Sequence, residues 1–271
     1  MRGEFVDVGG ARIYYYASGT RGPGEPILFL HGFPASSHVW SRLVPLLPKG
    51  HRVVVMDLLG YGRSDRPNGA VLSLGAHADR VLRFLDVLGI QRSAVVGHGL
   101  GGGIAVDLAI RFPTRVSKLC LVDIVAFDAW LQGVVRLLRT GAFFFRHLPP
   151  GVTEAILRSH LTRGYSGDGI HSVEQFLRPF GAPDGREALM AHLGALDVRE
   201  THAQTPALKG VNVPTAIVWG ADDPFLPLSL GQRLQAQIPG ATLDVVAGGR
   251  HFVPEESPER CADVISTLLA R

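Results

Sequence analysis

The sequence predicts an α/β fold: a mostly parallel central sheet with helices on both faces and a helical insertion. Three observations carry that expectation. Short continuous apolar runs such as Ile27-Leu28-Phe29-Leu30 recur along the chain, each of a length that suits a strand buried on both faces. Between them lie segments with apolar residues at three- and four-residue spacing, such as Val81, Phe84, Leu85 and Leu88. The alternation lapses from about Phe127 to Lys209 and then resumes.

Taken in order, Phe5 to Val8 and Ile13 to Ala17 flank Gly9-Gly10, the signature of a hairpin. Ile27 to Leu30 predicts a buried strand ending at His31-Gly32-Phe33-Pro34, and Val39 to Leu47 predicts a helix. Arg52 to Met56 is the next strand, followed by Asp57 and the turn-rich stretch GYGRSDRPNG. A helix over His77 to Leu88, a strand over Ser93 to Gly97, a helix through Ile104, Leu108, Ala109 and Phe112, and a strand over Val116 to Val122 complete the first half. Late in the chain come a strand at Ala216 to Trp219, a helix at Leu228 to Ile238, a strand at Leu243 to Val246 and a helix at Pro258 to Leu269. The predicted organisation is therefore a core of residues 1–126 and 210–271 split by an insertion of residues 127–209. Inserted material in such folds lies beside the carboxyl ends of the strands, where ligands bind, so the insertion is expected to act as a lid.

Composition narrows the classes further. The chain has 271 residues, 46% of them hydrophobic and 19% charged, with 33 Gly and 18 Pro, which excludes a disordered or collagen-like chain. The net charge of +3 is spread without a basic cluster, so nucleic acid is not an expected partner. Cys120 and Cys261 sit in apolar contexts and read as core thiols. The opening MRGEFVDVGG lacks the apolar stretch of a secretory leader, and no run of about 18 apolar residues occurs. A cytoplasmic protein without a membrane span is expected, as monomer or homodimer. The histidines are dispersed without metal-ligand spacing, so neither a metal nor an organic cofactor is expected.

Reactive side chains gather at strand ends. His31-Gly32-Phe33-Pro34 follows one strand, Asp222-Asp223 follows Trp219-Gly220, and Gly249-Arg250-His251-Phe252 follows Val246. An Asp and a His on neighbouring strand-end loops can work as orienter and base, the carboxylate fixing the tautomer of the imidazole that takes a proton. At the centre, Val96-Gly97-His98-Gly99-Leu100-Gly101 joins a strand to a helix.

These motifs, in this order, resemble the α/β-hydrolase superfamily in its capped single-domain form. Gly97 to Gly101 is similar to the nucleophile elbow G-x-S-x-G, with Gly99 where a nucleophile would stand. The resemblance implies that the Phe33 and Leu100 backbone N–H groups form an oxyanion hole. It also implies that Asp223 rather than Asp222 is the acid, and that His251 is the base. His98 would support the elbow. Asp123, at the end of the following strand, occupies a place where some members carry the acid instead. His31, Trp40, Trp130, Phe144 and Phe145 are expected to contact a small apolar substrate, with Phe143, His147 and Phe176 as further parts of a pocket roof; core packing is the competing expectation for Trp40.

Gly99 removes the covalent nucleophile but leaves the backbone free to adopt a turn at φ > 0. Several readings follow. One is a family enzyme impaired by loss of a Ser or Asp; a second activates water directly through His251 and Asp223; a third is a lyase or cofactorless oxygenase using that pair; a fourth binds a small ligand without turnover. A hydrolase acting on a small, mainly apolar molecule is the leading expectation, with an ester or lactone ahead of an epoxide or a carbon–halogen bond.

Overall fold

The computed structural model describes residues 3–19, 24–128, 130, 133–141, 151–167, 169–181 and 183–271. Eight strands form one sheet: β1 (Gly3–Asp7), β2 (Arg12–Ser18), β3 (Ile27–Leu30), β4 (Val53–Met56), β5 (Ser93–Gly99), β6 (Val116–Ile124), β7 (Thr215–Gly220) and β8 (Thr242–Val246). Their order is β1-β2-β4-β3-β5-β6-β7-β8. β1 and β2 form the expected antiparallel hairpin, and from β4 onward every neighbouring pair is parallel. The reversal of strand order at β3 leaves β5 at the centre, its carboxyl end flanked by those of β3 and β6. Phe29 pairs with both Val55 and Val96, and all four residues of β3 are buried, which is why an unbroken apolar run fits there.

The helices of the core are α1 (Leu74–Val87) and α2 (Leu100–Arg111), with the later helices named below in chain order. Ser73 caps α1 by accepting the Ala76 N–H, and its apolar stripe buries Val81, Phe84 and Leu85. α2 is buried along most of its length, consistent with a helix packed under the sheet's centre. One expectation fails: Val39 to Leu47 is not an α-helix but two short 3-10 turns, Ser37–Trp40 and Val44–Leu46. Pro45 has no N–H to give an α-helical ladder, and Ser36 starts the first turn by accepting the His38 N–H.

Between β6 and β7 the described residues contain helices and no strand: α3 (Gly133–Thr140), α4 (Val152–Thr162), α5 (Ile170–Leu177), α6 (Pro183–Ala195) and α7 (Val198–Gln204). After β7 the core resumes with α8 (Leu228–Gln237), α9 (Val253–Glu256) and α10 (Pro258–Leu269). Several bonds stitch the insertion to the loop that follows β8. Phe252 N–H donates to Gly164 O at 3.1 Å, and Arg250 reaches the Arg163 and Tyr165 carbonyls. The Ser166 N–H and hydroxyl both donate to Glu256, and the Ser172 hydroxyl donates to Glu255. On the opposite flank, Glu200 of α7 accepts the Leu74 and Gly75 N–H groups at the start of α1. Among the described residues, no helix is long and apolar enough to cross a membrane.

Candidate active site

The centre of the site is the turn from β5 into α2. Gly99 stands there at φ 54° and ψ −121°, a conformation outside the usual wells of L residues. Its carbonyl accepts the Val125 N–H at 3.1 Å, so the turn is anchored to the end of β6. The neighbouring glycines are needed for a different reason. A Cβ at Gly97 would lie 2.5 Å from Gly101 O, and one at Gly101 would collide with the Leu30 and His31 carbonyls. At Gly99 a Cβ would meet only Gly32 Cα at 3.3 Å and His251 Nε2 at 3.8 Å. The elbow is therefore closed to side chains at 97 and 101 and open to one at 99, aimed at an imidazole nitrogen.

His251 is set by its own partner. Its Nδ1 lies 2.8 Å from Asp223 Oδ2, and the Asp223 side chain is fully buried. Asp223 Oδ1 accepts the Phe225 and Leu226 N–H groups at 2.7 and 3.0 Å, which fixes the carboxylate plane. Each carboxylate oxygen is thus committed, and an Nδ1–H bond to Asp223 leaves Nε2 as the base facing position 99. Asp222, the neighbouring alternative, is exposed and bonds to Gly249 O only through its backbone N–H.

Asp123 is present as well. It is fully buried at the end of β6, with φ +42°, and its Oδ1 accepts the Gly220 N–H at 2.8 Å. Burial, reinforced by the nearby Asp223 charge, holds its carboxyl well above the ordinary range, so this carboxyl keeps its proton. The geometry gives the contact with His251 to Asp223 and makes Asp123 a neutral buttress behind it.

Two other histidines frame the elbow without facing the cavity. His98 Nε2 donates to His251 O at 3.0 Å, and burial keeps its ring neutral. His31 Nε2 accepts the Leu58 N–H at 3.0 Å, which leaves its Nδ1–H to donate to Gly32 O at 2.9 Å. His31 is fully buried, and burial lowers its pKa. It shapes the loop carrying Phe33 instead of contacting a substrate, because both ring nitrogens are already bonded. Trp40 is likewise displaced from the expected pocket: it is fully buried, edge-on to Phe29 at 5.0 Å and to His98 at 6.2 Å. Phe176 packs against His38 and Phe252 and is not part of the cavity wall. Phe143, Phe144, Phe145 and His147 lie outside the described residues.

The cavity above Gly99 has a volume of about 80 Å³. Phe33, Leu100, Trp130 and His251 line it, as expected, joined by Leu157, His160 and Leu161 of α4 and by Phe225. Trp130 spends its Nε1–H on Thr201 Oγ1 at 2.7 Å and presents an apolar face. His160 stacks on Phe225 with ring centroids 4.4 Å apart, and burial lowers its pKa to about 4, so it faces the cavity as a neutral ring. Sequence reasoning missed His160, although its place between Leu157 and Leu161 on one helical face was a usable signal. Leu100 opens α2, where the first N–H groups have no intrahelical acceptor, and a Cβ on Gly32 would sit 3.3 Å from Leu100 N. The loop of residues 31–34 is thus packed directly against the amide end of α2. Among the described residues, no group of three or more His, Cys, Asp or Glu is arranged to hold a metal ion.

The α/β hydrolase fold profile matches residues 25–258. The chain belongs to the α/β-hydrolase family. Haloalkane dehalogenase 2 of Mycobacterium tuberculosis is 28% identical over 280 residues, covering 97% of this chain and 93% of that protein. The crystal structure of an α/β hydrolase fold protein from Burkholderia ambifaria is 29% identical, with a TM-score of 0.87 and full coverage of both chains. The enol-lactonase of Burkholderia xenovorans LB400 shares the fold at a TM-score of 0.84 and 22% identity, covering 99% of this chain and all of the enol-lactonase chain.

Proposed function

We propose that this α/β-hydrolase family member hydrolyses a small, mainly apolar organic molecule, with an ester or lactone preferred, using water activated by His251. The carrying observation is the intact base: His251 bonded to Asp223 at 2.8 Å, with Nε2 directed at the space beside Gly99. In this mechanism a water held beside Gly99 gives a proton to Nε2 while its oxygen attacks the substrate carbonyl carbon. The carbonyl oxygen gains the negative charge and is held by the Phe33 and Leu100 N–H groups. Collapse breaks the acyl–oxygen bond, and the imidazolium returns the proton to the leaving oxygen. Asp223 keeps the ring oriented and stabilises its charged form. The apolar wall of Leu157, Leu161, Trp130 and Phe225, and the small cavity, favour an uncharged substrate with a compact reacting group.

A second reading has its own support. The open Cβ direction at Gly99 is the geometry of a position that carries a side chain in related enzymes, so the chain reads equally as a family enzyme lacking its nucleophile. Serine proteases stripped of a triad member retain about 10³–10⁴-fold rate enhancement over water, so slow turnover is compatible with both readings.

The experiment is turnover of a panel of esters, lactones, epoxides and haloalkanes by the native chain, His251→Ala, Gly99→Ser and Gly99→Asp. Native turnover abolished by His251→Ala supports water activation, and unchanged turnover in that variant refutes it. Activity or a covalent adduct gained only in a Gly99 variant supports the missing-nucleophile reading. A ligand bound by native chain and His251→Ala alike, with no turnover in any variant, overturns both in favour of a binding protein.

A further inference from the structure

A second cavity lies on the other side of the Phe33 loop. It has a volume of about 900 Å³, within the size range of sites for small ligands and far larger than the space above Gly99. Its walls mix polar and apolar surface and come from four parts of the chain: Tyr16 of β2, the stretch from Ser36 to Pro45, Arg63 and Arg66 of the loop after β4, and Arg178 at the end of α5 in the insertion. None of the three arginines forms an ion pair with an acidic side chain among the described residues, although salt bridges tie down many arginines elsewhere.

The acid in the cavity, Asp57, forms no side-chain ion pair with them. Asp57 is buried, and its two carboxylate oxygens accept the Ser37 N–H at 2.6 Å and the Arg63 N–H at 2.9 Å. It shapes the loop that presents Arg63. Arg63 Nη1 donates to Tyr14 OH at 2.6 Å, and its guanidinium lies over the Tyr14 ring, which fixes its direction. Arg66 is tied by one nitrogen to Gly62 O at 2.7 Å, while its Nε is buried without a hydrogen-bond partner among the described residues. Tyr16, only 9% exposed, has a buried hydroxyl that likewise finds no partner there. Burial and the Asp57 charge push the Tyr16 pKa upward, so the group stays a donor. Both of these donors lie beneath the cleft surface, so the feature that marks a place for an anion is the convergence of three arginine side chains without acidic ion-pair partners on its walls.

We propose that this cleft is a second binding site, for a small phosphate-type polyanion held between Arg63 and Arg66 of the core and Arg178 of the insertion. A doubly charged tetrahedral oxyanion offers several acceptor oxygens in a compact volume, matching planar guanidinium forks that approach from both walls. Because its arginines come from both core and insertion, the bound anion would hold the two together. This assignment is independent of the reaction carried out beside Gly99.

The test is titration calorimetry of the full chain with inorganic phosphate and pyrophosphate at about 0.01 M ionic strength, where charge screening is weak. One pyrophosphate is expected to bind per chain, more tightly than phosphate, and to raise the melting temperature through linkage. Arg178→Ala and Arg63→Ala are each expected to weaken binding about tenfold, and the double variant to abolish it. Arg178 and Arg63 are exposed, so their melting curves without ligand serve as the control for folding. Adenosine 5′-diphosphate distinguishes the source of the anion: binding tighter than pyrophosphate assigns an organic diphosphate, and weaker binding assigns the inorganic ion. Absence of binding by all three probes, or equal affinity in the native and Arg63→Ala/Arg178→Ala chains, overturns the proposal.

Discussion

Replacing Gly99 with Ser tests the geometry of the elbow apart from any substrate. The residue would have to adopt φ 54° and ψ −121°, a strained conformation that costs about 1–3 kcal/mol. Part of this is offset by about 0.4–1 kcal/mol, because a serine restricts the unfolded chain more than glycine does. The new Cβ adds a tight contact with Gly32 Cα at 3.3 Å, which a shift of a few tenths of an ångström relieves, and an ordinary one with His251 Nε2 at 3.8 Å. The net loss is therefore roughly 1–2 kcal/mol, or a fall of about 2–8 °C in melting temperature for a chain of this size. Gly97→Ser is the contrast: its Cβ would lie 2.5 Å from Gly101 O and 2.6 Å from Gly102 Cα, both backbone atoms that cannot swing aside. Thermal unfolding of the two variants and the native chain, followed by calorimetry or circular dichroism, should show Gly99→Ser close to native and Gly97→Ser far below it. Equal destabilisation of the two variants, or failure of Gly99→Ser to fold, would refute the argument that the elbow has room for a side chain.

Two further outcomes concern buried acids. Burial raises the Glu255 pKa to about 7 from an ordinary value near 4.5, so the folded chain holds a proton that the unfolded chain releases first. The sign follows: stability contributed by the neutral acid is full below about 4.5 and declines as pH rises to about 7, by roughly 3 kcal/mol in total. Glu255→Gln should flatten that decline, measured as urea midpoints between acidic and mildly alkaline pH; an unchanged slope would place the titration elsewhere. At Asp123, Asn mimics the neutral acid and preserves an acceptor for the Gly220 N–H, so Asp123→Asn should be at least as stable as native at neutral pH. Asp123→Ala leaves that buried N–H without its acceptor and should lose about 1–3 kcal/mol in the same denaturation assay. If Asn costs as much as Ala, Asp123 is charged in the folded chain and the assignment of its proton fails.

Most of the sheet was legible because its strands are short, apolar and buried on both faces, a pattern that needs no tertiary information. β5 runs two residues further than its sequence suggests, since His98 and Gly99 continue to pair with β6 even as the chain turns into α2. Residues 37–46 form 3-10 turns in place of the expected helix, since Pro45 brings no N–H to an α-helical ladder. Among the candidate site residues, those attached to a strand end fell where expected: His251, Asp223, Phe33 and Leu100 meet around Gly99. Residue type alone misplaced His31, Trp40 and Phe176, because a large ring near a loop can turn toward the core as easily as toward a cavity, and here hydrogen bonds and aromatic neighbours decide. The local signal at His160 is only the helix face it shares with Leu157 and Leu161; that this face covers the site depends on how α4 lies over the sheet, a long-range arrangement.

The bonds between residues 163–172 and the loop of residues 250–256 have a mechanical consequence. His251 lies between Arg250 and Phe252, and both neighbours are fastened to the insertion, as are Glu255 and Glu256 just beyond. Any outward swing of this part of the insertion must either break those fastenings or drag the imidazole away from Asp223. Where the fastenings hold, the position of the imidazole follows that of the insertion; where they break, the 2.8 Å contact between His251 and Asp223 is free to persist.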